Sequence, residues 1–306
     1  MVAAKVSQLF ALASASLLAQ VSARLDKPLI QPPIPGLDNG LFQNLPARGS
    51  TKSQWQYGLI PDRCRDVANA EKHTPYEVEV YSVQYDDCPD AWVFCRHKDA
   101  TPSIDQMIEV FGRLPVRIRD YVRTTIAMPG PRSAYTYSDL GDNIYFGDFQ
   151  NYPTLFVHEI GHTMDNNVYH KGSDFSASQQ WLNAYNQDSA ISDDYARTNQ
   201  AENVAQETVI ALFNTIVPGG IRSVEPNAAA ISHQYTALQN VLGDILHPGG
   251  QCQNRFQNAG VVCMGPDAPC PNQVESHIPF NLTLSDAVMP IPVRQGPGKK
   301  VCTLHE

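Results

Sequence analysis

Thr154-Leu-Phe-Val-His158-Glu159-Ile-Gly-His162-Thr-Met-Asp165 is the stretch whose reading decides the fold. It reads as one amphipathic helix carrying H-E-x-x-H. Histidines four apart lie on one helical face about a turn apart, so both imidazoles can reach a single metal ion. Glu159 is offset by one position, close to that ion without being a ligand, where a general base has to stand. Asp165 follows His162 by three and His158 by seven, so it shares their face and suits a carboxylate that holds the ring N–H of a ligand histidine. Ile160 and Met164 supply apolar backing, and Gly161 removes a side chain beside the ligands.

Two histidines do not complete a catalytic zinc site; a third protein ligand is needed. The second informative stretch is Asp193-Asp-Tyr195-Ala-Arg-Thr-Asn199-Gln-Ala-Glu202-Asn-Val-Ala-Gln206-Glu-Thr-Val-Ile-Ala-Leu-Phe213. A helix is expected from Asn199, with Ala205, Val209, Leu212, Phe213 and Ile216 as its apolar stripe. Glu202 falls on that stripe, and an inward-facing carboxylate needs a partner or a metal. Glu202 is therefore the leading third ligand, with Asp193 and Asp194 in reserve. Asn199-x-x-Glu202 also fits a capping box, in which Glu202 would reach back to the helix start. Glu207 is rotated by about 140° from Glu202, which places it with Asn203 and Asn214 on a solvated side. The Tyr195 phenol, seven residues before Glu202, could donate a hydrogen bond to an oxyanion.

Outward from these stretches, the N-terminus has the form of a secretory signal. Lys5 is its lone charge, followed by the apolar run Leu9–Ala19 and the small residues of Val21-Ser-Ala23 before Arg24. That run is too short to span a bilayer, and no later segment reaches about 18 apolar residues. Export of a mature chain beginning near Arg24 is expected. The 306-residue chain has a net charge of −9, and loss of Lys5 makes it −10, so nucleic acid and anionic membranes are disfavoured as partners. All seven cysteines lie beyond the signal. In an exported chain they read as disulfides with one left over, Cys88 and Cys95 being the expected local pair. Asn281-Leu-Thr283 is the glycosylation sequon.

Residues 24–52 are rich in proline and glycine and read as an arm or pro-segment outside the core. Glu77–Val83 and Ala91–Cys95 predict two strands of a hairpin, and Ser103 caps a helix through Phe111. Leu114 to Met128 fits either strand or helix, with Arg117, Arg119 and Arg123 as a solvated face. Ala134–Tyr137 and Asn143–Phe146 predict short strands, and an open strand edge just before the H-E-x-x-H helix could pair with an extended peptide. A short helix is expected at 176–185 and another at 227–246. His233 and His247 have no partner at ligand spacing and read as structural. Residues 249–306 form a tail rich in proline and cysteine.

The two site stretches, H-E-I-G-H-T-M-D and Tyr195-Ala-Arg-Thr-Asn-Gln-Ala-Glu202, resemble the anthrax lethal-factor type of zinc metallopeptidase. That resemblance implies His158, His162 and Glu202 as zinc ligands, Glu159 as base and Tyr195 as oxyanion donor. Gln206 departs from the pattern, which has a second glutamate there. The longer layout, with Tyr57-Gly-Leu-Ile-Pro-Asp-Arg-Cys64 and Leu114-Pro-Val-Arg, is similar to the secreted conidiation-specific proteins of filamentous fungi. The expectation is an α+β, zincin-like domain over 53–248: a small mixed sheet packed on the H-E-x-x-H helix, with further helices after it. The function expected is that of a secreted, monomeric zinc endopeptidase acting on peptides or proteins. Two other readings stay open: a non-catalytic wall or developmental protein that keeps zinc for stability, and a zinc-scavenging binder.

Overall fold

A computed structural model describes residues 24–168, 173–253, 255–265 and 299–302. The expected signal at 1–23 and the sequon at Asn281 lie outside the described residues. The strands are β1 (Ser50–Gln54), β2 (Leu59–Pro61), β3 (Val78–Tyr85), β4 (Trp92–His97), β5 (Thr124–Met128), β6 (Ser133–Tyr137), β7 (Asp142–Phe146), β8 (Val261–Cys263) and β9 (Lys299–Cys302). The helices are α1 (Leu37–Asn44), α2 (Asp62–Ala70), α3 (Ile104–Arg113), α4 (Val116–Arg119), α5 (Pro153–Asn167), α6 (Gln179–Gln187), α7 (Gln200–Ile216) and α8 (Ser232–Leu242).

Seven strands form one mixed sheet in the order β1-β3-β4-β5-β7-β6-β9, parallel at β4–β5 and β5–β7 and antiparallel elsewhere. Side chains alternate across it. Val83, Tyr85, Trp92, Phe94, Ala127 and Tyr145 enter the main core with α3, α5 and α7. Val78, Val80, Val93, Cys95, Ile126 and Ile144 face a smaller core with Trp55 and α2. Both faces of the sheet are covered at its centre, so every residue of β5 and β7 is buried, including the polar Thr124, Thr125, Asp142 and Asn143. Phe156 of α5 stacks on Tyr145 of β7 with ring centroids 4.3 Å apart, seating the helix on the sheet.

The expected β3–β4 hairpin is present, and Ser103 and Gln106 close a reciprocal capping box on α3. The ambiguous stretch 114–128 resolves as both alternatives, helix α4 followed by strand β5. Of its three arginines only Arg117 stays at the surface, on the exposed Asp244. Arg119 is fully buried on Asp87, and Arg123 pairs with the buried Asp142. Tertiary carboxylates claimed these two, and local alternation of charge gave no sign of that.

Three further expectations are corrected. No open edge precedes α5, because β7 lies between β5 and β6, and β6 is itself covered by β9. Cys88 and Cys95 do not pair: Cys64 joins Cys95 and Cys88 joins Cys252. The reason is the pleat, since Cys95 points into the smaller core while Cys88 belongs to the main one. The arm is not outside the core. Ile30, Leu41 and Leu45 are buried, and α1 packs on both α5 and α7. Ahead of α1, Ile30 donates to Ile191 O (2.8 Å) and Ile191 donates to Pro28 O (2.9 Å), so the arm runs beside the segment that leads to Tyr195. The tail also returns, with Phe256 and Met264 buried and β8 pairing β2. Among the described residues no helix is long and apolar enough to cross a membrane.

Candidate metal centre

Helix α5 is buried from Leu155 through Asp165, so its motif lies inside the protein rather than on a wet face. Pro153 opens it with a preset φ, and the cap comes from the arm. Asp38 Oδ1 accepts from Thr154 N (3.0 Å) and Thr154 Oγ1 (2.6 Å), placing a carboxylate at the positive end of the helix. At the far end Asp165 accepts from Ser176 N (2.6 Å) and Ser176 Oγ (2.8 Å), which fastens α5 to the short 3-10 turn Phe175–Ala177.

Helix α7 begins where expected. The Asn199 side chain accepts from Ala201 N (2.9 Å) and Glu202 N (3.0 Å). Asn199 thus caps the helix, and the Glu202 carboxylate turns to the histidines. Glu202 Oε2 lies 3.2 Å from His158 Nε2 and 3.1 Å from His162 Nε2. One ligand atom from each of the three residues lies within 4.8 Å of the others. Ligand bonds of about 2.0–2.1 Å in a tetrahedron place neighbouring donors roughly 3.3 Å apart, so the spacing and the two-imidazole, one-carboxylate donor set both fit zinc. Asp193 and Asp194 are not in this group. Asp194 pairs with Arg24 and Arg197, and Asp193 accepts from Ala196 N (2.7 Å).

The close approach of α5 and α7 depends on one small residue. A Cβ at Gly161 would stand 2.9 Å from Ala205 Cα and 3.1 Å from Ala205 O, and backbone cannot swing aside. Gly161 precedes His162 by one and Ala205 follows Glu202 by three, so this contact sets the distance between the ligands. Gly161→Ala should therefore spread the helices. The helix-propensity gain of about 1 kcal/mol is outweighed by an overpacking cost of about 1–3 kcal/mol. A lowered melting temperature together with weaker zinc retention against a chromophoric chelator is the expected result. A raised melting temperature would show that the helices yield freely.

Electrostatically the trio asks for a cation. Burial alone would lower the His158 pKa, but its hydrogen bond to Glu202 and the charges of Glu159 and Glu202 outweigh that and raise it. Burial alone would raise Glu202, yet its hydrogen bonds to both histidines pull it well below the usual carboxylate range. Gln206, one turn after Glu202, places Oε1 3.0 Å from His158 Nδ1. An amide oxygen there requires N–H at Nδ1, so a neutral His158 aims the Nε2 lone pair at a carboxylate oxygen. Only a proton or a metal ion between them relieves that repulsion. In the sequence Gln206 stood out only as a departure; its i+4 spacing from Glu202 was the available sign of this role.

The other expected participants also converge here. Glu159 is completely buried, and its charge reaches both His158 and the Tyr145 phenol. The Tyr195 ring stands edge-on to His158, centroids 5.4 Å apart. Glu207 and Asn203 contradict their expected solvated placement, since both are fully buried. Helix α7 is central, packed by α1, α5 and α8, and has no wet side over this stretch. Burial holds the Glu207 carboxyl far above its ordinary pKa, with Asp188 and Asp193 adding to the rise. A second cluster, Glu77, His97 and Asp99, also has ligand spacing. There His97 Nδ1 accepts from Asp99 N (3.1 Å), and Nε2 lies 3.2 Å from Glu77 Oε2. Of the three residues only His97 is buried, unlike the buried trio on α5 and α7. His233, read as structural, holds Asp188 Oδ1 at 2.7 Å.

A family model described as conidiation-specific protein Con-13 matches residues 35–281. Conidiation-specific protein 13 of Neurospora crassa is 32% identical over 235 residues, which cover 75% of this chain and 68% of that protein. No solved structure matches. The match spans α1, the sheet from β1 to β7 and both site helices, and it bears out the likeness to conidiation-specific proteins seen in the longer sequence layout. The chain belongs to the conidiation-specific protein Con-13 family.

Proposed function

We propose that this protein is a secreted, monomeric zinc-dependent endopeptidase with a zincin-like catalytic domain. The observation that carries the reading is the convergence of His158, His162 and Glu202 from two buried helices, with Glu159 and Tyr195 beside them. Zinc, when bound, supplies Lewis-acid polarisation of a carbonyl and brings the pKa of a water it holds to near neutral. Glu159 takes the proton of the attacking water and passes it to the departing nitrogen. The Tyr195 phenol donates to the oxyanion that develops on the carbonyl oxygen. Gln206 keeps the proton of His158 on Nδ1, so that Nε2 is free to ligate. Asp165 anchors the end of α5 and is assigned to holding a ligand ring as well.

Metal analysis of the purified protein, paired with digestion of a proteome-derived peptide mixture, tests this. One zinc per chain and internal peptide cuts that stop on chelation are expected. A second reading is favoured by the printed name of the relative, which describes a conidiation-specific protein and no enzyme. In that reading the protein is a non-catalytic developmental or wall component, and zinc serves stability. It predicts one zinc per chain and a melting temperature that drops on chelation, with no peptide cut. Absence of bound zinc at micromolar supply would dismiss both.

A further inference from the structure

The arm that packs on the site helices also walls a cavity. About 390 Å³ of space lies between residues 34–39 of the arm, the start of α5 and the segment before Tyr195. Ile34, Leu37 and Leu155 give it an apolar collar, and Asp38 and Asp193 contribute carboxylates. Among the described residues no lysine or arginine lines it; Arg132 acts on Asp38 electrostatically without lining the space. His158 forms part of the wall, so whatever fills the cavity lies one imidazole ring away from the metal centre. The volume of about 390 Å³ is near the lower end of ligand pockets, which run from about 300 to 1,000 Å³, and has room for one long side chain with space to spare.

We propose that this cavity receives a lysine or arginine side chain of the peptide held at the metal centre, next to the bond to be cut. The substrate class is then a peptide with a basic residue beside the scissile bond, which rests on the peptidase reading. The physics is charge pairing in a partly desolvated space. The aliphatic stem of the basic residue meets the collar while its head meets carboxylates, and low local dielectric strengthens that pairing relative to water. Both carboxylates are already held in place, Asp38 by Thr154 and Asp193 by Ala196 N, so little is lost in ordering them.

The test uses zinc-loaded Glu159→Gln protein, which binds without turnover, and labelled ten-residue peptides that differ only at one central position. Peptides with arginine or lysine there should bind roughly tenfold tighter than one with norleucine, with glutamate weakest. The preference should shrink as salt rises. Asp38→Asn with Asp193→Asn keeps each Oδ1 acceptor and should bring arginine and norleucine to equal affinity, with the melting temperature lowered by no more than the lost charge at the start of α5 accounts for. If the double variant unfolds, Asp193→Asn alone should remove a measurable part of the preference. Equal binding of arginine and norleucine by the Glu159→Gln protein, or a preference that survives the asparagines, overturns the proposal. Zinc-loaded wild-type protein is run in parallel on the peptide mixture. Cuts without enrichment of basic residues would sink the cavity assignment alone, whereas selective binding with no cuts at all would sink the peptidase reading alone.

Discussion

Glu159→Gln is expected to leave one zinc per chain and to lower peptide cleavage by roughly 10²–10⁴-fold, the usual contribution of a positioned general base. Glutamine has the shape of glutamate, and Glu159 is outside the trio with ligand spacing, so neither packing nor metal retention should change. What the amide cannot do is accept a proton from water. Glu202→Gln should behave differently. It removes the charge that holds both histidine Nε2 atoms at 3.1–3.2 Å, so zinc content itself should fall and cleavage with it. Metal analysis beside turnover separates the two variants. Unchanged cleavage by Glu159→Gln would take that residue out of the chemistry and require another group as the base.

The largest effect on stability is expected at Asp87→Ala, far from the metal centre. Arg119 is completely buried, its guanidinium 4.6 Å and 4.9 Å from the ring centroids of Tyr85 and Trp92. It donates to Leu114 O at 3.0 Å and to Asp87 Oδ2 at 2.5 Å. Removing the carboxylate leaves a charge in an aromatic cage without its counter-ion, which costs about 3–5 kcal/mol. For a domain of this size that lowers the melting temperature by roughly 10 °C. Lys52 and Asp105 form an exposed pair, and Asp105→Ala should cost at most about 1 kcal/mol. Replacing Arg119 and Asp87 together by apolar residues should restore most of the loss, because no unpaired charge remains. A double variant as unstable as Asp87→Ala would show that the aromatic cage itself requires the cation.

The His158, His162 and Glu202 trio was legible in the sequence because its parts are local. Four-residue spacing on α5 aligns two imidazoles, and seven-residue spacing on α7 turns Glu202 inward, whatever the rest of the fold does. The remainder depends on what packs against each element. Glu207 looked solvated because helical phase measures angle only, and α7 happens to be surrounded. Arg119 looked solvated because its carboxylate comes from a loop 32 residues earlier. Prolines and glycines disguised the arm, although Leu37, Leu41 and Leu45 repeat every four residues and foretell α1. Disulfide pairing followed sheet faces, which appear only once β3 and β4 are laid side by side.

The bond between Cys88 and Cys252, 164 positions apart, closes a loop that contains both site helices in full. A single backbone cut anywhere between them leaves the two fragments tethered. Such a nicked molecule would migrate at full length on a non-reducing gel and split only once thiol is added. His158, His162 and Glu202 would stay on one covalent assembly, so damage to the chain need not part the trio.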